Sequence, residues 1–342
     1  MVWRPMQRRS GMFSQLLVGV WILAAIGAVV WLSQRRDIPE EQRYGVSFSK
    51  LHSDELGLDW KKTYLAILDD LNVRALRLSA HWPMIEPERD VYNFTELDYQ
   101  VNEARKRNAS VILAVGRKSP GWPECHTPHW VGSMEWEEQK MEIRQYITEV
   151  VERYREYPNI AYWQIENEPF LNFARHICGE PDEEFFEEEL ALVRAIDPNT
   201  PILATDGGEF GLWYKAHNHA DAFGSTMYLY VFTKHIGYWR YPVWGGFFRW
   251  KLNMLEAFTK GDKQKLSIEV GLEPWLRQPI KDTSIEEQLE HMSMERFDEI
   301  LEVARTSGFD AHYLWGAEWW YYMRERGHPE FWNKAKQLFP SG

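Results

Sequence analysis

The chain has 342 residues and a net charge of −12 at pH 7, and 44% of its residues are hydrophobic. Residues 1–36 contain five Arg and no acidic residue, so residues 37–342 carry five more negative charges than the whole chain, a net charge of −17. A body this acidic repels phosphate groups, which excludes nucleic acids and anionic lipid surfaces as its partners. Roughly 300 residues exceed most single hydrophobic cores, but α/β barrels of this size form one domain.

The N-terminal segment differs from the rest of the chain. Residues 13–32 are nearly all apolar, and no charged residue lies between Arg9 and Arg35. Because a helix of about 20 apolar residues crosses a bilayer core of ~30 Å, we predict a transmembrane helix that inserts into the lipid bilayer. A cleaved signal peptide is the alternative, although its apolar region usually has only ~7 to 15 residues.

The apolar N-terminal segment divides the chain into three predicted parts. Residues 1–36 are predicted to be an anchor with basic flanks, 37–43 a short tether, and 44–342 a single catalytic domain. The slight excess of Arg before the apolar span favours an N-terminus inside the cell. The chain is therefore expected to be membrane-anchored, with its large domain outside the cytoplasm.

Two cysteines, Cys125 and Cys178, leave three possibilities open. Outside the cytoplasm an even pair favours a disulfide, and two buried thiols are the other reading. A metal site would need the nearby His126, His129 and His176, but these spacings do not match a usual zinc signature. We therefore expect no metal and no cofactor.

From residue 44 onward, short apolar runs alternate with amphipathic stretches. The runs predict eight buried strands, at 44–48, 75–79, 111–115, 161–165, 202–205, 226–230, 266–268 and 311–315. The stretches predict eight helices, at 59–71, 96–107, 135–157, 181–196, 212–222, 243–260, 285–306 and 329–338. Eight βα units with right-handed crossovers close most simply into a (β/α)8 TIM barrel, within the α/β class. A doubly wound open sheet is the alternative, but no Gly-rich phosphate motif follows any strand.

Carboxyl groups end two of the predicted strands. The fourth is followed by Asn167, Glu168 and Pro169, and the seventh ends at Glu269. Because functional groups of a barrel gather at the carboxyl ends of its strands, these two acids should face each other across the mouth. Such a pair can cleave a glycosidic bond. The alternatives are a helix cap for Glu168 and a structural ion pair for Glu269.

Two further acids lie close to this pair in sequence. Glu273 is four residues beyond Glu269 and is a rival nucleophile. Glu166 precedes Glu168 by two positions, so on a strand the two would share a face. We expect Glu166 to be a buried acid paired with a basic group.

The motifs Asn-Glu-Pro at 167–169 and Ser-Ile-Glu-Val-Gly at 267–271, on strands four and seven of eight, resemble those of the clan A retaining glycoside hydrolases. These are the cellulase-like and β-galactosidase-like barrels, and the resemblance spans about residues 44–339. It implies an O-glycosyl hydrolase, or a transglycosidase, that cleaves a β-linked oligo- or polysaccharide by double displacement. By the same resemblance, Glu168 is the acid/base, Glu269 is the nucleophile and Asn167 binds the sugar 2-hydroxyl.

The resemblance also implies supporting residues. Arg77 on strand two matches the Arg close to the nucleophile, Tyr228 matches a tyrosine that hydrogen-bonds it, and Trp315 matches an aromatic platform beneath the sugar. Each has an alternative: Arg77 could pair with Glu166, Tyr230 could take the role of Tyr228, and Trp315 could belong to the core.

Rim loops supply weaker candidates. Residues 116–126 are rich in turn-forming residues and should form the loop after strand three. That loop carries four side chains that could bind substrate: Arg117, Lys118, Trp122 and His126. Asp206 follows strand five, where an N-cap role is the alternative.

Two other functions remain compatible with the sequence. A non-catalytic, membrane-anchored carbohydrate-binding barrel would use the same aromatic mouth without turnover. A membrane-tethered metal hydrolase would instead use a cluster of four residues: Cys125, His126, His129 and His176.

Overall fold

Eight parallel strands close into a barrel in the computed structural model, which describes residues 15, 17–24, 27, 31, 36–171, 175–259 and 262–340. Each strand pairs with its neighbours in sequence, and the eighth closes on the first. The strands are β1 Tyr44–Ser47, β2 Ala75–Ser79, β3 Ser110–Val115, β4 Ile160–Ile165, β5 Ile202–Asp206, β6 Ala222–Met227, β7 Lys265–Gly271 and β8 Ala311–Trp315. The predicted (β/α)8 barrel is confirmed.

Helices surround the barrel and connect its strands. The longer ones are Trp60–Asp69, Thr95–Lys106, Trp136–Tyr154, Glu183–Ile196, Gly245–Phe258 and Met294–Arg305. Shorter α-helices are Lys50–Glu55, Trp82–Ile85, Arg175–Cys178, Tyr214–His219, Ile285–His291, Ala317–Arg324 and Glu330–Lys336. Single 3-10 turns lie at His129–Val131 and Ile280–Asp282, and a hairpin joins Tyr230–Thr233 to Gly237–Arg240.

The helix predicted at 285–306 is two helices. Ser293 interrupts it, because its hydroxyl accepts a hydrogen bond from the Arg296 backbone N–H at 3.3 Å and so begins a new helix.

The sixth strand was predicted at 226–230, and this is wrong: β6 is Ala222–Met227. Its Ala-Phe-Gly-Ser-Thr-Met sequence has too few large apolar residues to be recognised as a buried strand. The small residues are needed because the barrel is crowded there. A Cβ on Gly224 would lie 3.0 Å from Thr205 Cγ2 and 3.1 Å from Ile268 Cβ.

The interior of the barrel is apolar at one end and polar at the other. Buried side chains that include Ile112, Leu203, Leu266 and Tyr313 form an apolar cluster inside it. Nearer the carboxyl ends of the strands, polar side chains replace them. That end is the mouth, where parallel strands of such barrels direct functional groups.

The chain enters the barrel at the end opposite the mouth. The Arg36 Nε donates to Gly308 O at 2.5 Å, and Arg43 Nε donates to Asp310 O at 3.0 Å, just before β8 begins. The predicted tether at 37–43 is therefore flanked by barrel contacts: Arg36 directly precedes it, and Arg43 is its last residue.

In the part of the chain that the structure describes, no helix combines the length and the apolar character that crossing a bilayer requires. Much of the predicted anchor lies outside the described residues, including 1–14, 16, 25, 26, 28–30 and 32–35.

A disulfide between Cys125 and Cys178 fastens the loop after β3 to the segment after β4. Of the alternatives that the sequence left open, the disulfide is the one that forms. Because both sulfurs are bonded to each other, neither is a free thiolate for the cysteine–histidine metal site considered above.

We predict that replacing both cysteines, Cys125→Ser with Cys178→Ser, lowers the free energy of unfolding by about 2–4 kcal/mol, because the bond closes a loop of 53 residues. Urea unfolding followed by Trp fluorescence measures the change. The wild type unfolded in excess dithiothreitol should behave like the double variant. An unchanged unfolding midpoint would show that the loops are held by other contacts alone.

Candidate active site

Arg77 on β2 joins three segments at the mouth of the barrel, and only 1% of its surface is exposed. Its Nε donates to Gln164 Oε1 at 2.8 Å, one terminal nitrogen donates to Asn167 Oδ1 at 2.7 Å, and the other donates to Glu269 Oε2 at 2.5 Å. The ion pair of Arg77 is thus with Glu269 rather than with Glu166. The guanidinium fixes both the amide and the carboxylate in place.

The segment after β4 bends sharply at Asn167. Glu166 and Glu168, on either side of it, have φ values of +55° and +47°, in the left-handed region that non-glycine residues rarely adopt. Such a conformation costs on the order of 1–3 kcal/mol per residue and persists where the surroundings enforce it. Here the Asn167 N–H donates to Lys118 O at 2.7 Å, and the Glu168 N–H donates to Thr205 Oγ1 at 2.9 Å.

This bend sends the two glutamates in different directions, so the prediction that they share a face is wrong. The strand ends at Ile165, and the alternation of a strand does not extend past it. Glu166 Oε1 and Oε2 accept from the backbone N–H groups of Arg117 and Lys118 at 2.7 and 2.5 Å. Gly116, at φ +132°, is required there, because a Cβ would lie 2.4 Å from Glu166 Oε1.

Glu166 is a buried acid, as predicted, but its oxygens bond to backbone groups. Burial raises the pKa of Glu166, and the Arg117 charge and the two N–H donors oppose that rise. A second buried acid, Glu189, hydrogen-bonds it. Glu166 therefore supports the loop after β3 from beneath.

Glu168 lies in the mouth with 7% of its surface exposed. Residues 169 and 170 form a turn that the Leu171 N–H closes by donating to Glu168 O at 3.0 Å, so Glu168 does not begin a helix. Its Oε1 accepts from Thr226 Oγ1 at 2.8 Å, and its backbone oxygen accepts from Lys118 Nζ at 2.8 Å. Burial, followed by the charge of Glu269, raises the pKa of Glu168 to about 7, while Lys118 and Thr226 act in the opposite direction.

Glu269 lies in β7, all seven residues of which are buried, and is 5% exposed. One carboxylate oxygen accepts from Arg77, and the other accepts from the Tyr228 hydroxyl. Burial, followed by the Glu269 charge, raises the pKa of Tyr228 well above its usual value, so the phenol keeps its proton and remains a donor. Glu269 is thus oriented through both of its oxygens.

Tyr228 follows β6 instead of lying within it, which corrects its predicted place on strand six. Its neighbour Tyr230 belongs to the hairpin, where its hydroxyl donates to Glu299. The two tyrosines therefore contact different acids, and Tyr228 is the one at Glu269.

Glu273, the rival nucleophile, has its own partners. Its Oε2 lies 2.8 Å from His52 Nε2, and its Oε1 accepts from Trp315 Nε1 at 2.7 Å. The His52 ring stacks on Trp315 with centroids 6.0 Å apart. Trp315 ends β8 and is 7% exposed, so Glu273 and His52 orient an aromatic ring at the mouth.

Of the remaining predicted residues, Trp122 and His126 lie in the loop after β3, and Asp206 is the last residue of β5. Trp122 is 57% exposed in the loop after β3, whereas His126 is buried, with Nε2 3.1 Å from Gly121 O and its ring 4.6 Å from that of His81. Asp206 accepts from the backbone N–H groups of Gly207 and Trp213, both at 2.8 Å. His126 and Asp206 thus stabilise loops, and Trp122 is open to solvent.

Thr226 and Glu124 are among the contributors at the mouth that were not singled out from the sequence. Thr226 on β6 contacts Glu168, but nothing in its local sequence marks it. Glu124 lies in the loop after β3, and the charges of Glu168 and Glu269 both act on it. The available sequence signal for Glu124 was its position next to Cys125. A disulfide at Cys125 holds that part of the loop against the segment after β4, where Glu168 lies.

The family model for glycosyl hydrolase family 10 matches residues 50–206. That match includes Arg77, Asn167 and Glu168 and ends before Glu269. No curated protein matches the chain in sequence.

Solved glycoside hydrolase structures have the same fold. A β-galactosidase from the haloarchaeon Halorubrum lacusprofundi is 14% identical over 80% of this chain, with a TM-score of 0.51, and the match spans only 52% of that longer chain. The GH5_18 protein from Bifidobacterium longum is 13% identical, with 80% and 69% of the two chains covered and a TM-score of 0.57. Xylanase 10B from Thermotoga petrophila is 17% identical, with 80% and 81% covered and a TM-score of 0.51.

At these identities the likeness to solved structures shows a shared fold. Together with the family 10 match, it confirms the resemblance of the chain to the clan A glycoside hydrolases.

Proposed function

We propose that the protein is a retaining O-glycoside hydrolase that cleaves a β-linked oligo- or polysaccharide, with Glu168 as acid/base and Glu269 as nucleophile. The observation that carries the proposal is the contrast between the two buried carboxyl groups. Glu269 accepts hydrogen bonds from a guanidinium and a phenol, whereas the pKa of Glu168 is raised to about 7. Pairs of acids with such different environments divide the roles of base and acid.

In the first step, a Glu269 oxygen attacks the anomeric carbon while Glu168 gives its proton to the departing glycosidic oxygen. The bond between the sugar and its leaving group breaks, and an ester between the sugar and Glu269 forms. Arg77 and Tyr228 direct the attacking carboxylate. Asn167, whose Oδ1 accepts from Arg77, keeps an amide N–H to bind the sugar 2-hydroxyl.

In the second step, the Glu168 carboxylate takes a proton from water as the water oxygen attacks the anomeric carbon. The ester bond breaks, Glu269 is released as a carboxylate, and the product keeps its β configuration. If a sugar hydroxyl replaces water, the same step is a transglycosylation. Trp315, held by Glu273, would support the apolar face of the sugar ring.

The substrate class is proposed from two sources. The motifs at 167–169 and 267–271 resemble those of enzymes that act on β-linked sugars, and the structure of Thermotoga petrophila xylanase 10B contains xylobiose. We therefore propose a β-linked glycan as the natural substrate.

We also propose that the barrel works outside the cytoplasm, anchored by the apolar segment at 13–32. The disulfide between Cys125 and Cys178 supports this location, because disulfides persist in oxidising compartments. The apolar sequence itself supports the anchor.

The variants Glu168→Gln and Glu269→Gln should each lower kcat for aryl β-glycosides and β-linked oligosaccharides by roughly 10²- to 10⁴-fold, because each removes a group that transfers a proton or forms a bond. Initial rates on a panel of these substrates measure the loss. Glu156→Gln, at an exposed residue, is the matched control and should keep wild-type rates. A binding-only barrel would instead bind glycans with no turnover in any variant.

A 2-fluoro glycoside with a good leaving group should attach covalently to Glu269, because the ester of the first step then forms faster than it hydrolyses. Peptide mapping by mass spectrometry identifies the labelled residue. A label on Glu273 would overturn the assignment of the nucleophile.

We expect kcat/KM to fall about tenfold per pH unit above an apparent pKa of about 7, since Glu168 must carry a proton to act as an acid. Below that pH the acid is protonated and the limb is flat. A pH–rate profile between pH 5 and 9, on a substrate whose leaving group needs protonation, makes the measurement. A profile that rises through pH 7 would contradict the assignment of Glu168 as the acid.

Thr226→Val should move this alkaline limb to higher pH. The Thr226 hydroxyl donates to Glu168 and stabilises its charged form, so its loss raises the pKa of the acid further. Thr226→Ser keeps the hydroxyl and should keep the wild-type limb. A shift of the Val variant to lower pH would show that this hydrogen bond does not govern the titration.

A further inference from the structure

Glu124 is carried by a tight turn in the loop after β3. Its N–H donates to Gly121 O at 2.9 Å, and its carbonyl oxygen accepts from the Ser119 N–H at 2.9 Å. The residue has φ +76°, and the next residue, Cys125, is in the disulfide. The backbone of Glu124 is therefore fixed on both sides.

The same loop is attached directly to the catalytic corner. Lys118 accepts from the Asn167 N–H through its carbonyl oxygen at 2.7 Å, and its Nζ donates to Glu168 O at 2.8 Å. At its other edge the turn approaches β8, where a Cβ on Gly121 would lie 3.3 Å from Trp315 Cη2. The turn thus spans the mouth from the acid/base to the aromatic ring.

The Glu124 side chain points into this space. The Asn167 side chain hydrogen-bonds it, and the charges of Glu168 and Glu269 act on it. Its Oε2 is buried and, in the part of the chain that the structure describes, has no hydrogen-bond partner. A buried carboxyl oxygen without a partner is costly unless a ligand completes it.

The cations around Glu124 leave this oxygen unpaired. Lys118 faces Glu124 and lowers its pKa, but burial and the charge of Glu168 outweigh it and raise that pKa to about 8. Arg77 directs its donors to Gln164, Asn167 and Glu269. In the free protein at neutral pH, Glu124 therefore keeps its proton, and a positive charge on a ligand would favour its ionisation.

We propose that Glu124 determines specificity for a sugar that carries a protonated amine, namely a 2-amino-2-deoxy β-glycoside or a polymer of such sugars. The proposal rests on the proposed function, because the position at C2 follows from the role of Asn167 toward the 2-substituent. An ammonium group at C2 cannot accept a hydrogen bond from the Asn167 amide, so its partner there would be Glu124, to whose Oε2 it would donate. It would also place a positive charge beside the carboxyl groups of Glu124, Glu168 and Glu269.

The surrounding charges favour the same class of substrate. Residues 37–342 have a net charge of −17, and two further acids at the mouth, Asp206 and Glu209, interact with Glu168. Lys251 offsets these two, since it faces both of them. A polycation is attracted to such a surface over long distances, whereas a neutral glycan is not.

The test compares matched pairs of 4-nitrophenyl β-glycosides that differ only in an amine or a hydroxyl at C2, in the gluco and galacto series. We expect kcat/KM of the wild type to be at least tenfold higher for the amine of one series. In Glu124→Gln that value should fall roughly 30-fold or more, while the value for the hydroxyl parent changes less than threefold. Glu156→Gln is the surface control.

The outcomes separate this proposal from the proposed function. Hydrolysis of hydroxyl glycosides with no amine preference, or an equal loss on both substrates in Glu124→Gln, overturns the role of Glu124 alone. If no glycoside of any kind is hydrolysed, the proposed function fails, and the amine preference falls with it.

A competition experiment does not depend on turnover of the amine. Methyl 2-amino-2-deoxy-β-glycoside of the preferred series should inhibit hydrolysis of the hydroxyl substrate by the wild type at least tenfold more strongly than by Glu124→Gln. Continued hydrolysis of the hydroxyl substrate by the variant shows that it is folded. Equal inhibition of the two proteins overturns the proposal.

Discussion

The arrangement of the mouth depends on one buried positive charge. Because the Arg77 guanidinium is almost fully removed from water, its donors must be matched by acceptors inside the protein. The acceptors come from β4, from the bend after β4 and from β7, so pairing the charge also sets the relative positions of these segments. The same pairing orients the Asn167 amide, whose oxygen is turned to Arg77 and whose N–H groups are therefore turned away from it. The buried guanidinium of Arg77 thus determines both how these segments pack and how the side chains of the candidate site are oriented.

Around this charge, the acids are distinguished by their partners. Glu166 is bound by backbone N–H groups beneath the loop after β3, Glu273 by His52 and Trp315, and Glu269 by Arg77 and Tyr228. Glu168 and Glu124 have fewer partners, and burial raises the pKa of both. Acids of one chemical type are thus distinguished as loop supports, an ion-paired group and groups of raised pKa by their environments alone. The left-handed bend gives Glu166 and Glu168 different environments, because it points their side chains in different directions although the residues are two positions apart.

Much of the fold could be predicted from the sequence, because parallel strands buried on both faces are apolar runs. Strand β6 was misplaced since its crowded surroundings select small and polar residues such as Gly224. The acids at 168 and 269 could be found from their motifs and strand order. The direction of Glu166 could not, because the alternation rule fails where a strand bends. Glu124 had only its position next to Cys125 as a sequence signal, because its surroundings come from Asn167, Glu168 and Glu269, which lie 43 or more positions away along the chain.

The contacts of Arg36 and Arg43 with the loop before β8 determine which face of the barrel stays accessible when the protein is attached to a support. They hold the N-terminal side of the domain at the floor of the barrel, while the acids open at the opposite face. Attaching the protein to a support by the end of the barrel opposite the mouth therefore leaves the mouth accessible. Under the proposed function, a copy of the protein immobilised in this way would still present its acids to a glycan too large to diffuse.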